Sequence, residues 1–299
     1  MSLEERVLSL LQKRKDKVLS GKINSIPSPF VRFRDDFLGI EQGKYYLVTS
    51  STKGAKTQFA SYLFIFHTLL YSYYHPEQIR VKIFYYPLEE TAEDVLIRFM
   101  SYILYIFTGG KERVSPIDLK STRADKPVSS EVLKLLGSDK YTKLVSHFEN
   151  NVIFSSTSNP TGIYHECRKY AEDNGTVYTK PTKVKDDETG MIKEVQKFDY
   201  YESADVDEYR IIFVDHASLI STEKGMPLKQ SVDKLSEYFV LLRNRYGFSP
   251  VLIQQQAFQG ESLEAVKENK VRPTIANLSD SKYPSRDKPK KSISLIVFL

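Results

Sequence analysis

The sequence predicts an α/β fold built on a doubly wound, mostly parallel sheet. Three observations carry that prediction. From about Tyr45 onward, short apolar runs alternate with longer stretches of helical character. A loop of small residues ending in Lys56-Thr57 stands between the first run and the first long helix. A later run, Ile211-Ile212-Phe213-Val214, ends in Asp215, an acid at the carboxyl edge of a buried strand, where open α/β sheets bind their ligands.

Residues 3–19 read as an amphipathic helix, with Leu3, Val7, Leu10, Leu11, Arg14 and Val18 at helical spacing and Gly21 as its stop. A short linker follows, whose Pro27 and Pro29 suit neither a helix nor a central strand. The alternation then runs through a strand at Tyr45–Thr49, a helix at Thr57–Tyr74, a strand at Arg80–Tyr86 and a helix at Ala92–Phe107. Residues 108–140 are polar and rich in turn formers, and read as a surface excursion with a small helix near Ser130–Leu136. Beyond it come a strand at Val152–Ser155, a helix at Pro160–Asn174, a strand at Tyr209–Asp215, a helix at Leu228–Tyr246 and strands at Val251–Gln255 and Ser292–Leu299. Two runs, Val177–Val184 and Met191–Tyr201, flank Asp-Asp-Glu-Thr-Gly and predict a β-hairpin inserted at 176–201. The expected organisation is a linker helix over 1–22 and a core over 23–299.

The bulk numbers suit a soluble chain. With 299 residues it can bury a large core, and 41% hydrophobic with 27% charged residues is ordinary. The net charge of +5 permits a polyanionic partner without demanding one, and the excess gathers between Lys267 and Lys291. A single cysteine, Cys167, rules out an intramolecular disulfide and a cysteine-rich metal site, which favours a reducing, cytoplasmic setting. The apolar stretch Phe59–Tyr74 is broken by Ser61, His67 and Ser72, so it reads as a buried helix, and no membrane partner is expected.

The loop Ser50-Ser51-Thr52-Lys53-Gly54-Ala55-Lys56-Thr57 matches the phosphate-loop pattern G-x-x-x-x-G-K-[ST] in its length, its Lys-Thr pair and its strand–loop–helix setting. A loop that opens a helix aims backbone N–H groups and the positive helix end at phosphate. Lys56 would neutralise the terminal phosphates and the Thr57 hydroxyl would ligate magnesium. Both pattern glycines are replaced, by Ser50 and Ala55, and Gly54 stands one place early. Asp215 is the second expected magnesium ligand. Glu89, in the pair Glu89-Glu90 after the second strand, is the expected base for water, with Glu90 the alternative. Of the triplet Gln254-Gln255-Gln256, Gln256 is favoured as the group that reports the γ-phosphate.

Taken in order, these segments resemble the motor domain of the DnaB-type replicative helicases. Leu88-Glu89-Glu90-Thr91-Ala92-Glu93, with Arg98 and Met100, is similar to the family's Ser-Leu-Glu-Met-Ser-Ala-Glu segment, in which the Glu after Leu is the base. Asp215-His216-Ala217-Ser218-Leu219-Ile220 resembles Asp-Tyr-Leu-Gln-Leu-Met, and Pro250–Gln256 resembles the segment that ends in Ser-Gln. Asn277-Leu278-Ser279-Asp280-Ser281 occupies the place of a DNA-facing loop. The resemblance implies a RecA-like core that uses ATP and Mg²⁺, a hexameric ring, single-stranded DNA in its channel, and a primase or other replisome protein as partner. It places Lys224, Lys267, Lys270, Arg272, Ser279, Ser281 and Lys282 toward DNA. The missing glycines, the extra hairpin and the expected lack of an amino-terminal helicase-loader or primase domain depart from the family and suggest a divergent phage or viral relative, in which the family's arginine finger would lie beyond Ile296–Leu299. Two other classes compete: another RecA-fold motor, such as a recombinase or packaging ATPase, and a weakly catalytic, loader-like nucleotide binder.

Overall fold

The computed structural model describes residues 2–31, 34–35, 37–50, 54–185, 191–255 and 295–298. The chain opens with helix α1 (Leu3–Leu19), started by a capping box in which Ser2 Oγ accepts from Glu5 N–H and Glu5 accepts from Ser2 N–H. Gly21, at φ 79°, lets the chain leave the helix in the left-handed conformation. Strands β1 (Ser25–Pro27) and β2 (Gly39–Glu41) then form a small antiparallel ribbon, with Pro27 at a strand end where its missing N–H costs nothing.

Strand β3 (Tyr46–Ser50) leads into one continuous helical stretch made of α2 (Lys56–Ser61), a π-helical segment (Tyr62–His67) and α3 (Thr68–Tyr74). Strand β4 (Arg80–Pro87) and α4 (Ala92–Phe107) follow, then α5 (Pro116–Leu119), α6 (Ser130–Leu136) and α7 (Asp139–Asn151). Strand β5 (Val152–Phe154) and α8 (Pro160–Asp173) precede a hairpin of β6 (Gly175–Lys185) and β7 (Ile192–Ser203). Strand β8 (Glu208–Asp215), α9 (Leu228–Tyr246), β9 (Ser249–Gln255) and β10 (Leu295–Phe298) complete the described chain.

Six strands make one sheet in the order β10-β3-β9-β8-β4-β5, with every neighbouring pair parallel. Consecutive residues of each central strand go to opposite faces. Tyr46, Val48, Ile83, Tyr85, Ile211, Phe213, Val251 and Ile253 face one layer, where they join Phe64, Phe99 and Phe148 from the helices between β3 and β5. Tyr45, Leu47, Phe84, Tyr86, Ile212, Val214 and Leu252 face the other, against Cys167 of α8 and Phe239 of α9. Burial on both faces explains why the strands read as unbroken apolar runs instead of alternating ones. The fold class is the one the sequence predicts.

Three local readings are corrected. The excursion at 108–140 carries the small helix expected at Ser130–Leu136, but it is not wholly surface: Val132 of that helix is buried, and α7 begins inside the segment. Helix α7 itself escaped the sequence reading because it is largely polar, its buried side being Tyr141, Leu144 and Phe148, three anchors on one helical face. The hairpin spans more than 176–201, and its base is anchored where Phe198 and Tyr201 pack on Tyr246 at the end of α9. Among the described residues no helix is long and apolar enough to cross a membrane.

Candidate active site

Strands β3, β9, β8 and β4 end together. Ser50 lies opposite Gln255, Val214 opposite Leu252, and Pro87 opposite Asp215. A cavity of about 670 Å³ opens over this edge, with Ala55, Lys56 and Thr57 on one side and Glu89, His216 and Gln255 facing them. Lys56 is the first residue of α2, and the preceding Ala55 takes the left-handed conformation at φ 56° and ψ 22°. That is the backbone geometry a glycine in the pattern would supply, reached here by alanine at a cost of about 1–2 kcal/mol. Ala55 carries no side-chain cap, so the first N–H groups of the helix are left to the cavity side.

The Thr57 hydroxyl donates to Asp215 Oδ1 at 3.2 Å. Asp215 is buried, and its Oδ2 has no hydrogen-bond partner among the described residues. Burial pushes the Asp215 carboxyl up to about 6; the Thr57 hydrogen bond opposes this, while Glu90 and Glu89 push it further up. A buried carboxylate oxygen without a donor, beside a hydroxyl, is a hard-oxygen set of the kind magnesium takes together with phosphate. The residues present fit that ion.

Glu89 and Glu90 leave β4 just where Leu88 N–H donates to the Asp215 carbonyl at 3.0 Å. Thr91 then caps α4 by accepting from Asp94 N–H. The two acids have different neighbours. Glu90 accepts from Arg98 Nη2 at 2.7 Å; burial raises its pKa and the guanidinium pulls it back. Glu89 is 60% exposed at its side chain and has His216 Nε2 3.7 Å away.

Other expected residues divide between the described and the undescribed. Ser50 is buried at the end of β3 and Gly54 begins the described stretch before α2. Ser51, Thr52, Lys53 and Gln256 lie outside the described residues, as do Lys267, Lys270, Arg272, Ser279, Ser281 and Lys282. Gln254 is buried in the sheet, whereas Gln255 lines the cavity. Lys224 is exposed, away from the cavity lining, in the loop that follows β8. Glu223 braces that loop by accepting from Thr161 N–H at the start of α8 at 2.9 Å and by pairing with Lys234.

Two residues of the site were not singled out as site residues by the sequence. Arg98 stands eight residues after Glu90, across a helix start, so no local spacing signals their contact. His216 follows Asp215 directly and reads from the sequence either as a satisfied near-core histidine, the favoured view, or as a group touching nucleotide or a polar relay; the β4–β8 register brings it to Glu89.

No protein-family model matches this chain, and no curated protein sequence matches it. Solved structures do. A DnaB-like replicative helicase, in a structure that also describes its interactions with primase, aligns with a TM-score of 0.60 at 14% sequence identity. The match covers 100% of this chain and 56% of the helicase chain, so this chain spans just over half its length. Identity that low speaks for architecture alone: the chain has a RecA-like, DnaB-like α/β fold.

Proposed function

We propose that this chain is an ATP-dependent motor of the helicase kind, hydrolysing ATP at the cavity over β3, β8 and β4 to move along single-stranded DNA. The observation that carries the reading is the meeting of Thr57 with Asp215 at 3.2 Å, beside Lys56 and with Glu89 in the same cavity. These are the groups that phosphoryl transfer needs, brought from three separate strands to one edge.

In this reading the N–H groups at the start of α2 and the Lys56 ammonium hold the β- and γ-phosphates. Thr57 and Asp215 would hold Mg²⁺, which would supply Lewis-acid stabilisation of charge on the phosphates. Glu89 takes a proton from water as the water oxygen bonds to the γ-phosphorus. The bond from that phosphorus to the bridging oxygen breaks, and ADP and phosphate leave. Glu90 is the poorer base because Arg98 occupies its carboxylate. Gln256 remains the proposed reporter of the γ-phosphate; Gln255, which lines the cavity, is proposed as a second candidate.

The left-handed Ala55 counts against the loader-like alternative, since alanine here keeps the conformation before α2 that a glycine would supply. Lys224 and the basic segment 267–291 are proposed to follow DNA phosphates, and residues 1–22 to link neighbouring copies in a ring. A primase is proposed as partner on the strength of the structural neighbour alone. ATPase assays with and without single-stranded DNA test the motor. Turnover stimulated by DNA is expected, and Glu89→Gln should lose it by about a hundredfold or more while still binding nucleotide. Imaging of particles with an ATP analogue separates rings from the filaments of a recombinase. DNA-independent turnover, or filaments, would count against the helicase reading.

A further inference from the structure

We infer that His216 is a positioning residue for Glu89, holding the base over the cavity; the inference rests on the hydrolytic reading above. The argument begins with register. Pro87 is paired with Asp215, and Leu88 N–H closes on the Asp215 carbonyl, so the first residues past β4 and past β8 leave the sheet side by side. Glu89 and His216 are the side chains that this juxtaposition brings to the cavity.

Their surroundings differ in a way that suits a holder and a mover. The His216 side chain is 12% exposed, and its backbone is fixed by the turn Ala217–Leu219, in which Leu219 N–H donates to the His216 carbonyl at 3.0 Å. The Glu89 side chain is 60% exposed, and a Glu side chain loses much rotamer freedom when ordered. Something must choose one rotamer for a base that acts on a single water. His216 Nε2, at 3.7 Å from Glu89 Oε2, is placed to do this, and catalytic contacts of this length tighten when substrate binds. Arg98 serves the neighbouring Glu90 at 2.7 Å. The two adjacent acids are thereby sorted: a part-buried guanidinium takes one out of the chemistry, and an imidazole aims the other. The arrangement also couples the base to the metal-binding strand, because any shift of Asp215 moves His216 with it.

The experiment is steady-state hydrolysis by the full chain and three variants, together with binding of a non-hydrolysable ATP analogue. His216→Ala should lower kcat by about tenfold to a hundredfold, the range expected when a reacting group is misplaced. Analogue affinity should stay within about twofold. His216→Gln puts an amide N–H near the position of Nε2 and should recover most of the rate, whereas the shorter His216→Asn should not. That contrast between two polar variants survives even if the alanine variant folds poorly. In a Glu89→Gln background, His216→Ala should cause no further loss, since groups that act as a unit are not additive. Parent-like turnover by His216→Ala, equal rates for the glutamine and asparagine variants, or a full additional loss in the Glu89→Gln background would overturn the inference. A parent chain that hydrolyses nothing overturns instead the reading on which it rests.

Discussion

Ala55 and Asp215 are both unfavourable for the empty protein, and each yields a prediction. Alanine in the left-handed region costs about 1–2 kcal/mol, while glycine there costs about 0.4–1 kcal/mol through the unfolded chain. Ala55→Gly should therefore leave stability unchanged or raise it by up to about 1 kcal/mol, and Ala55→Val should lower it, as denaturant melts would register. Asp215 has a folded pKa of about 6 against an ordinary value near 3.8. Between those values the folded state keeps a proton that the unfolded chain releases. Stability of the nucleotide-free protein thus falls as pH rises from about 4 to 6, by about 3 kcal/mol at most, and the penalty persists above that range. Asp215→Asn should raise the melting temperature at pH 7.5 and leave it unchanged at pH 4. Equal effects at both values would show that the burial of charge is not the cause. At this scale the sequence exposed Lys56, Thr57, Glu89 and Asp215 as candidates because each ends a strand or opens a helix. The contacts of Arg98 and His216 were not legible, since both depend on how β4 is registered against β8.

Helix α1 shows how an element can be legible in pattern and not in placement. Its apolar stripe is evident in the sequence, yet in the structure it is the polar side that meets the body of the protein. Arg14 pairs with Glu41, Lys17 and Lys22 pair with the buried Asp207, and Asn24 donates to the Arg14 carbonyl. Val7, Leu8, Leu10, Leu11, Val18 and Leu19 stay exposed. Each such side chain gains about 1.5–3 kcal/mol on full burial, so a second copy of the chain is the proposed cover. Truncating the helix would be an unclean test, because it also strips Lys17 from Asp207. Replacing Leu8 and Leu11 together by glutamine keeps those ion pairs and touches no core contact. Light scattering should then show oligomers falling to monomers, with thermal melts of the monomer shifted little. Oligomers that persist would send the ring contact elsewhere. The hairpin of β6 and β7 was likewise legible from its two strand-like runs, whereas α7 was not, its buried side being only Tyr141, Leu144 and Phe148 in an otherwise mostly polar stretch.

For the whole molecule, parallel strands with helices on both faces bring the ends of β3, β9, β8 and β4 to one edge, so an alternating sequence pattern also points to the edge where the candidate site lies. Of the proposed DNA contacts, Lys224 stands on a braced loop beyond β8, and the remaining cations fall in the sequence segment 267–291, outside the described residues. If Lys224 and that segment follow phosphates, affinity for single strands should fall steeply with salt and show little sequence preference. Reversing Lys267, Lys270 and Arg272 to Glu should weaken binding and flatten the salt dependence, as read by fluorescence anisotropy. Unchanged affinity would remove that segment from the interface. All of this depends on the cavity being a nucleotide site, so the most direct measurement is calorimetric titration of ATP with Mg²⁺ into the parent chain and into Lys56→Ala. Saturable binding by the parent, weakened when Mg²⁺ is withheld and abolished in Lys56→Ala, is the predicted result. Equal binding by the two proteins, or none by the parent, would contradict the assignment of this cavity to ATP.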